Sequence, residues 1–117
     1  MSANQHTVKE HFENRAAEVK ATYQAILKAA KKLGPVSEEA KKTSIHLVRK
    51  TAFAGVATRK TALVLTLKSD ADIASKRITK REQASANRWH LEIRLETPEQ
   101  VDRELLNWLT KAYELAA

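Results

Sequence analysis

The sequence has no cysteine, and two glycines, two prolines and six aromatic residues among its 117 positions. Without cysteine there are no disulfides, no thiolate metal sites and no thiol catalysis. Two glycines, Gly34 and Gly55, cannot build a Walker loop or a dinucleotide-binding turn, both of which need several in a short span. No apolar run approaches the about 18 residues that a membrane helix requires, so no membrane association is expected. Residues 1–6 carry neither an apolar stretch nor a basic cluster. They do not read as a secretory signal, and they are expected to be disordered. These features together suggest a cytoplasmic protein.

What the chain does contain is an ordinary globular balance, 43% hydrophobic and 30% charged, with a net charge of +7. The charge is uneven. Residues 41–95 hold 13 Lys and Arg against four Asp and Glu, a net of +9, whereas the remainder holds 8 basic and 10 acidic residues, a net of −2. A basic middle between nearly neutral ends is a footprint of an anionic partner, and equally a means of staying soluble.

Hydrophobic periodicity divides the chain into elements. Thr7-x-x-Glu10 has the spacing of a capping box and opens a short helical turn to about Phe12. Val19, Tyr23, Ile26, Leu27, Ala30 and Leu33 form one stripe of a helix from Arg15 to Leu33. Gly34-Pro35 ends that helix. Residues 37–42 read as a charged loop. Alternation then replaces the helical period, giving strands at Ser44–Arg49, Ala52–Val56 and Ala62–Lys68. The short connections between them impose antiparallel pairing. A weak strand is expected near Arg77–Thr79 and a loop over Glu82–Asn87. The clearest strand is Arg88–Leu95, with Trp89, Leu91, Ile93 and Leu95 on one face and Arg88, His90, Glu92 and Arg94 on the other. Thr97-Pro98-Glu99-Gln100 has the chemistry of a helix start. From it a closing helix buries Val101, Leu105, Trp108, Leu109 and Ala112. The expectation is a single α+β domain over 1–117: a four- to five-stranded antiparallel sheet with two long helices, plus a short N-terminal one, on one face.

The segments Lys41–Leu47, Thr51–Val56, Leu63–Leu67 and Arg88–Leu95, with a leucine-rich closing helix ending Ala112-Tyr113-Glu114, resemble the bacterial domain-of-unknown-function family numbered fifty-six fifty-five. The resemblance runs from about Thr7 to the end. More distantly the pattern is similar to the C-terminal segment of so-called predicted transport proteins. It implies the fold and carries no catalytic residue with it.

Two histidines, His46 and His90, fall on the polar sheet face. Beside Lys and Arg they could act as acid and base in phosphodiester chemistry, the alternative being ordinary surface histidines. They lack a third ligand at a recognisable spacing, so no metal site is expected. Asp70-x-Asp72 with Glu82 or Glu92 could hold magnesium, or sit in a solvated turn. No cofactor is expected. Lys42, Arg49, Lys50, Arg59, Lys60, Lys80, Arg81, Arg88 and Arg94 are the candidate anion-binding residues. All of these but Arg94, with Lys41, Lys76 and Arg77, could form one basic rim. The aromatics fall on apolar stripes, which argues against a base-stacking platform. The leading expectation is a non-enzymatic binding module for an anionic partner, nucleic acid first. The alternatives are a self-associating domain, a homodimer included, and a small hydrolase using His46 and His90.

Overall fold

The computed structural model describes residues 7–117; the expected disorder of residues 1–6 lies outside them. Helix α1 spans Ala17–Leu33, followed by strands β1 (Ser37–Ala40), β2 (Ile45–Val48), β3 (Ala52–Thr58), β4 (Leu63–Ser69), β5 (Ile78–Ser85) and β6 (Arg88–Leu95), and helix α2 (Arg103–Leu115). The strands form one antiparallel sheet in the order β1-β2-β3-β4-β6-β5. The α+β antiparallel class agrees with the sequence, but the described residues form six strands rather than four or five, and the short N-terminal element is a 3-10 turn, Lys9–Phe12.

Both additional strand assignments concern sheet edges. β1 replaces the expected loop at 37–42. β5 replaces the weak strand near Arg77–Thr79 and the expected loop at Glu82–Asn87. A strand shows period-two alternation only where one face is buried. Three of the four β1 residues are exposed, and in β5 only Ile78 is buried. Their sequences, SEEA and ITKREQAS, therefore carry backbone pairing without a hydrophobic pattern. Charges and two irregularities in the β5 register, at Ile78/Lys80 and Gln83/Ser85, blunt that edge against further strands.

The inner face is the core. Ile45, Leu47, Val56, Leu63, Leu65, Leu67, Leu91, Ile93 and Leu95 are buried there under Val19, Tyr23, Ile26 and Ala30 of α1 and Leu105, Leu109, Ala112 and Tyr113 of α2. A bulge at Leu47/Val48 leaves Phe53 as an extra residue in β3. Phe53 and Ala54 are both buried, and the Phe53 ring meets Tyr113 edge-on at 5.2 Å. Trp108 and Trp89, expected in the core, are only half-buried against it. They lie toward β5 and β6, where two helices no longer span a six-stranded sheet.

There a connection stands in for a third helix. β4 and β5 both run opposite to β6, so residues 70–77 pass from one end of the sheet to the other. Ile73 packs against the core beside Leu91, Ile93 and Trp108. Arginines clamp both sides of the connection. Arg81 donates from Nε to Asp72 Oδ1 at 2.7 Å and from Nη2 to the Ile73 carbonyl at 3.0 Å. Arg77 donates to Asp102 Oδ1 at 2.9 Å, to Glu104 Oε1 at 3.1 Å and to the Gln100 carbonyl at 2.7 Å.

The start of α2 differs from its sequence reading. Thr97-Pro98-Glu99-Gln100 caps a separate 3-10 turn, Pro98–Gln100, in which Gln100 Oε1 accepts from the Thr97 amide at 3.1 Å. α2 begins afresh after Asp102, whose Oδ1 accepts from the Leu105 amide at 3.1 Å. Val101, between the two, is half-buried rather than part of the core stripe.

α1 ends at Gly34, with φ at +152°. A Cβ built there would collide with the Tyr113 hydroxyl and lie 3.3 Å from Tyr113 Cζ. That hydroxyl donates to the Pro35 carbonyl at 3.0 Å, tying the α1–β1 corner to α2. Gly34→Ala therefore combines backbone strain with a collision, and is expected to lose about 1–3 kcal/mol in urea denaturation. Combined with Tyr113→Phe, its cost should shrink, because the two changes act on one contact.

Asp102 supplies a second measurable consequence. The Leu105 amide, and after it the Arg77 guanidinium, hold its carboxyl below the ordinary value. A depressed carboxylate contributes stability that is present above its unfolded-state pKa and lost as pH falls through the folded value. Asp102→Asn should thus flatten the loss of stability below about pH 4. Asp102→Ala, which removes the cap, should cost about 1 kcal/mol at neutral pH.

Candidate functional site: the outer sheet face

The face turned away from the helices carries alternate residues of each strand. Register places Glu39, His46, Gly55, Thr66, Glu92 and Lys80 in one row across the sheet. The next row contains Lys68, His90 and Glu82, and a third pairs Ala57 with Val64 and Val64 with Arg94. His46 and His90 do share this face, as their strand positions imply.

Small side chains make the centre of the face shallow. Ala52, Gly55 and Ala57 form the floor of an open depression of about 280 Å³, walled by Ser44, His46, Thr66, Lys68 and His90. Gly55 sits between two full-sized neighbours: a Cβ there would lie 3.8 Å from His46 Cδ2 and 4.0 Å from Thr66 Cβ. No carboxylate lines the depression. Glu92 and Glu82 stand on the β6–β5 side, paired across strands with Lys80 and His90. Glu39 lies within 3.4 Å of Lys41 Nζ. Lys68 is the one lysine on the wall, directly opposite His90 in the β4–β6 ladder.

The single basic rim expected from the sequence is not formed. In an antiparallel meander successive turns lie at opposite ends of the sheet. Lys42, Arg59 and Lys60 stand at one end; Arg49, Lys50 and Arg88 stand at the other. Lys80 and Arg94 lie on the outer face. Two of the arginines are held in structural roles. Arg49 lies 4.3 Å above the Tyr113 ring and donates to the Tyr113 carbonyl at 3.1 Å. Arg81 faces the helix side and holds Asp72. Arg59 and Arg88 each donate to the carbonyl of the preceding residue, at 3.2 and 2.8 Å. The magnesium reading has no support from this geometry: Asp72 is engaged by Arg81, and among the described residues no three His, Asp or Glu side chains cluster so as to hold a metal.

Sequence reading missed the depression and the opposition of Lys68 to His90. The opposition depends on β4 pairing with β6 across the intervening β5, and the depression on the neighbours that β2 and β4 bring beside Gly55; no local signal encodes either. A lone glycine within an alternating strand was the available cue.

These features define a small α+β domain with a helix-covered core and an open, cation-bearing sheet face. The chain belongs to the family described as Domain of unknown function (DUF5655), whose model matches residues 8–116. No curated protein matches the chain. No solved structure matches it either. Among the described residues, no helix is long and apolar enough to cross a membrane.

If Gly55 is required only to keep the depression open, the backbone there has no need of it. Gly55→Ala is expected to leave stability unchanged or to raise it by about 0.5–1 kcal/mol, since glycine weakens a strand. Gly55→Leu should fold and fill the depression. Chemical denaturation of both variants checks this.

Proposed function

We propose that this domain is a non-enzymatic binding module that receives an anionic partner on its outer sheet face, with a nucleic-acid backbone as the first candidate. The observation that carries the reading is the depression over Gly55, where His46, Lys68 and His90 stand around a floor of small residues with no carboxylate among its lining. A lysine meets phosphate as a point charge, and a histidine strengthens such a site when protonated. Arg94 and Lys80 extend positive charge across the same face. Among the described residues the face has no phenylalanine, tyrosine or tryptophan on which a base could stack, so contact would be mainly with the backbone and weakly dependent on sequence.

Two alternatives rest on the same face. The spacing of the histidines weighs against the hydrolase. They lie three strand steps and two residues apart, about 16 Å between backbones at standard sheet spacing. An acid and a base serving one phosphodiester must both reach within about 3 Å of it. Such a separation suits an occupant that spans the depression. Self-association has one observation in its favour: Ala57 and Val64, paired across β3 and β4, form a small apolar, half-buried patch at one end of the outer face, with Val48 apart from it at the other end. A second copy would cover it.

Fluorescence anisotropy with labelled random-sequence single-stranded RNA and DNA tests the proposal. Binding is expected at low salt, weakening with a log–log slope of about 0.7 per phosphate contacted. Lys68→Ala should flatten that slope and weaken all sequences alike. Gly55→Leu should weaken binding by filling the depression. No anisotropy change up to about 100 µM protein would overturn the nucleic-acid reading, because non-specific contacts of this kind are populated there. A concentration-dependent dimer lost in Val64→Lys would put self-association in its place.

A further inference from the structure

A second basic cleft lies at the sheet end that carries the β1–β2 and β3–β4 turns. The N-terminal 3-10 turn and the residues after it fold over this end, and Glu10, His11, Arg15, Lys42, Thr43 and Thr58 line a cleft of about 400 Å³. Its lining is mostly polar, unlike the floor over Gly55.

The cleft is organised around Thr58, which is 8% exposed. Its hydroxyl donates to the His11 carbonyl at 2.5 Å and accepts from Arg15 Nε at 3.2 Å. One face of the guanidinium fork is thus fixed on a buried side chain, while its terminal nitrogens make no ion pair among the described residues. A guanidinium held at Nε in this way is oriented in advance, which lowers the entropy lost on binding a planar or tetrahedral oxyanion. His11 is fixed as well. Its Nε2 lies 2.8 Å from the Lys41 carbonyl and must donate to it, since a carbonyl only accepts. In the neutral ring Nδ1 is then an acceptor, and it can donate to an anion only in the protonated ring. Lys42 and the Thr43 hydroxyl, on the β1–β2 turn, form the opposite wall. The cleft's charges are Arg15 and Lys42, with His11 able to gain a third, against Glu10.

We infer that this cleft is a phosphate-binding site, with Arg15 as the principal ligand, Lys42 and the Thr43 hydroxyl completing the contact, and His11 adding a donor on protonation. Three positive or donating groups of this kind match the oxygens of a phosphoryl group, and the volume leaves room for the sugar of a nucleotide. The phosphate is either the terminal group of a free nucleotide or a diester of a strand. The site does not depend on the outer-face reading, since it shares no residue with the depression over Gly55.

Backbone and Arg Nε–H chemical shifts of the ¹⁵N-labelled protein, titrated separately with inorganic phosphate, adenosine monophosphate and an unphosphorylated single-stranded oligonucleotide, test it. Saturable shifts of Arg15, Lys42, Thr43 and Thr58 are expected. Saturation by the monophosphates alone identifies a terminal phosphate, and saturation by the oligonucleotide identifies a diester. Arg15→Gln should weaken the affinity at least 10-fold. Because Arg15 also touches Thr58, Lys42→Ala serves as a second variant: it is exposed in a turn, should leave the spectrum folded, and should weaken binding several-fold. Absence of saturable shifts with all three probes overturns the site. So does binding unchanged in both variants. Oligonucleotide binding abolished by Lys68→Ala but indifferent to Arg15→Gln would uphold the outer face and overturn the diester reading of the cleft, and the reverse pattern would overturn the outer face and uphold that reading.

Discussion

The pairing of β4 with β6 is the constraint on which the rest of this fold depends. Its register runs without interruption from Leu63↔Leu95 to Ser69↔Trp89 and joins the N-terminal meander to the C-terminal half of the chain. On the inner side it aligns Leu63, Leu65 and Leu67 with Leu95, Ile93 and Leu91, the apolar surface against which α2 packs. On the outer side it sets Lys68 against His90 and Thr66 against Glu92. A slip of one residue would exchange the two faces. The same hydrophobic alternation that builds the core therefore fixes which polar side chains meet on the open face.

That dependence explains what could be read from the sequence. Arg88–Leu95 and Leu63–Lys68 are buried on one side only, so their alternation is plain, and it assigns His90 and Lys68 to the outer face. The stripe of Val19, Tyr23, Ile26 and Ala30 is equally legible, because α1 has one face on the core. β1 was missed, and β5 was read only as a weak strand at its start, for the converse reason. An edge strand beyond the reach of the helices has no buried face, and backbone hydrogen bonds leave no hydrophobic signature. The depression over Gly55 was out of reach because it is a property of neighbours: Gly55 matters through His46 and Thr66 on the adjoining strands. The break before α2 was hidden by two successive capping signals, Thr97 and Asp102, of which the first is the stronger in sequence and the second starts the α-helix.

Counting charges overstated the free positive surface. The +9 segment includes Arg49, Arg77 and Arg81, whose guanidinium groups clasp backbone carbonyls or carboxylates and secure the α2 terminus and the 70–77 connection. The planar, multi-donor geometry that suits arginine to phosphate suits it equally to such clasps. A sequence cannot separate the two uses. The lysines divide differently: among the described residues Lys42, Lys68 and Lys80 make no ion pair. Free positive charge thus falls more on lysine than composition implies, with Arg15 the exception, lying outside the basic segment altogether.

The two basic depressions meet at one turn. Ser44 walls the depression over Gly55, and Lys42 and Thr43 wall the cleft beneath the N-terminal 3-10 turn, so the β1–β2 turn separates them by a single residue step. The turn itself is braced: the Lys41 amide donates to the Ser44 carbonyl at 2.7 Å, and the Lys41 carbonyl receives His11. A braced partition between two cation-lined hollows is a geometry in which one extended polyanion could lie across both, gaining the second contact at the high effective concentration that the first creates. Two separate small anions would gain nothing from the adjacency. An occupant that bridges Lys68 and Arg15 must therefore bind more weakly when either is removed, whereas two independent ligands each respond to one of the two substitutions alone, and that difference reports the partner's length rather than its affinity for either hollow.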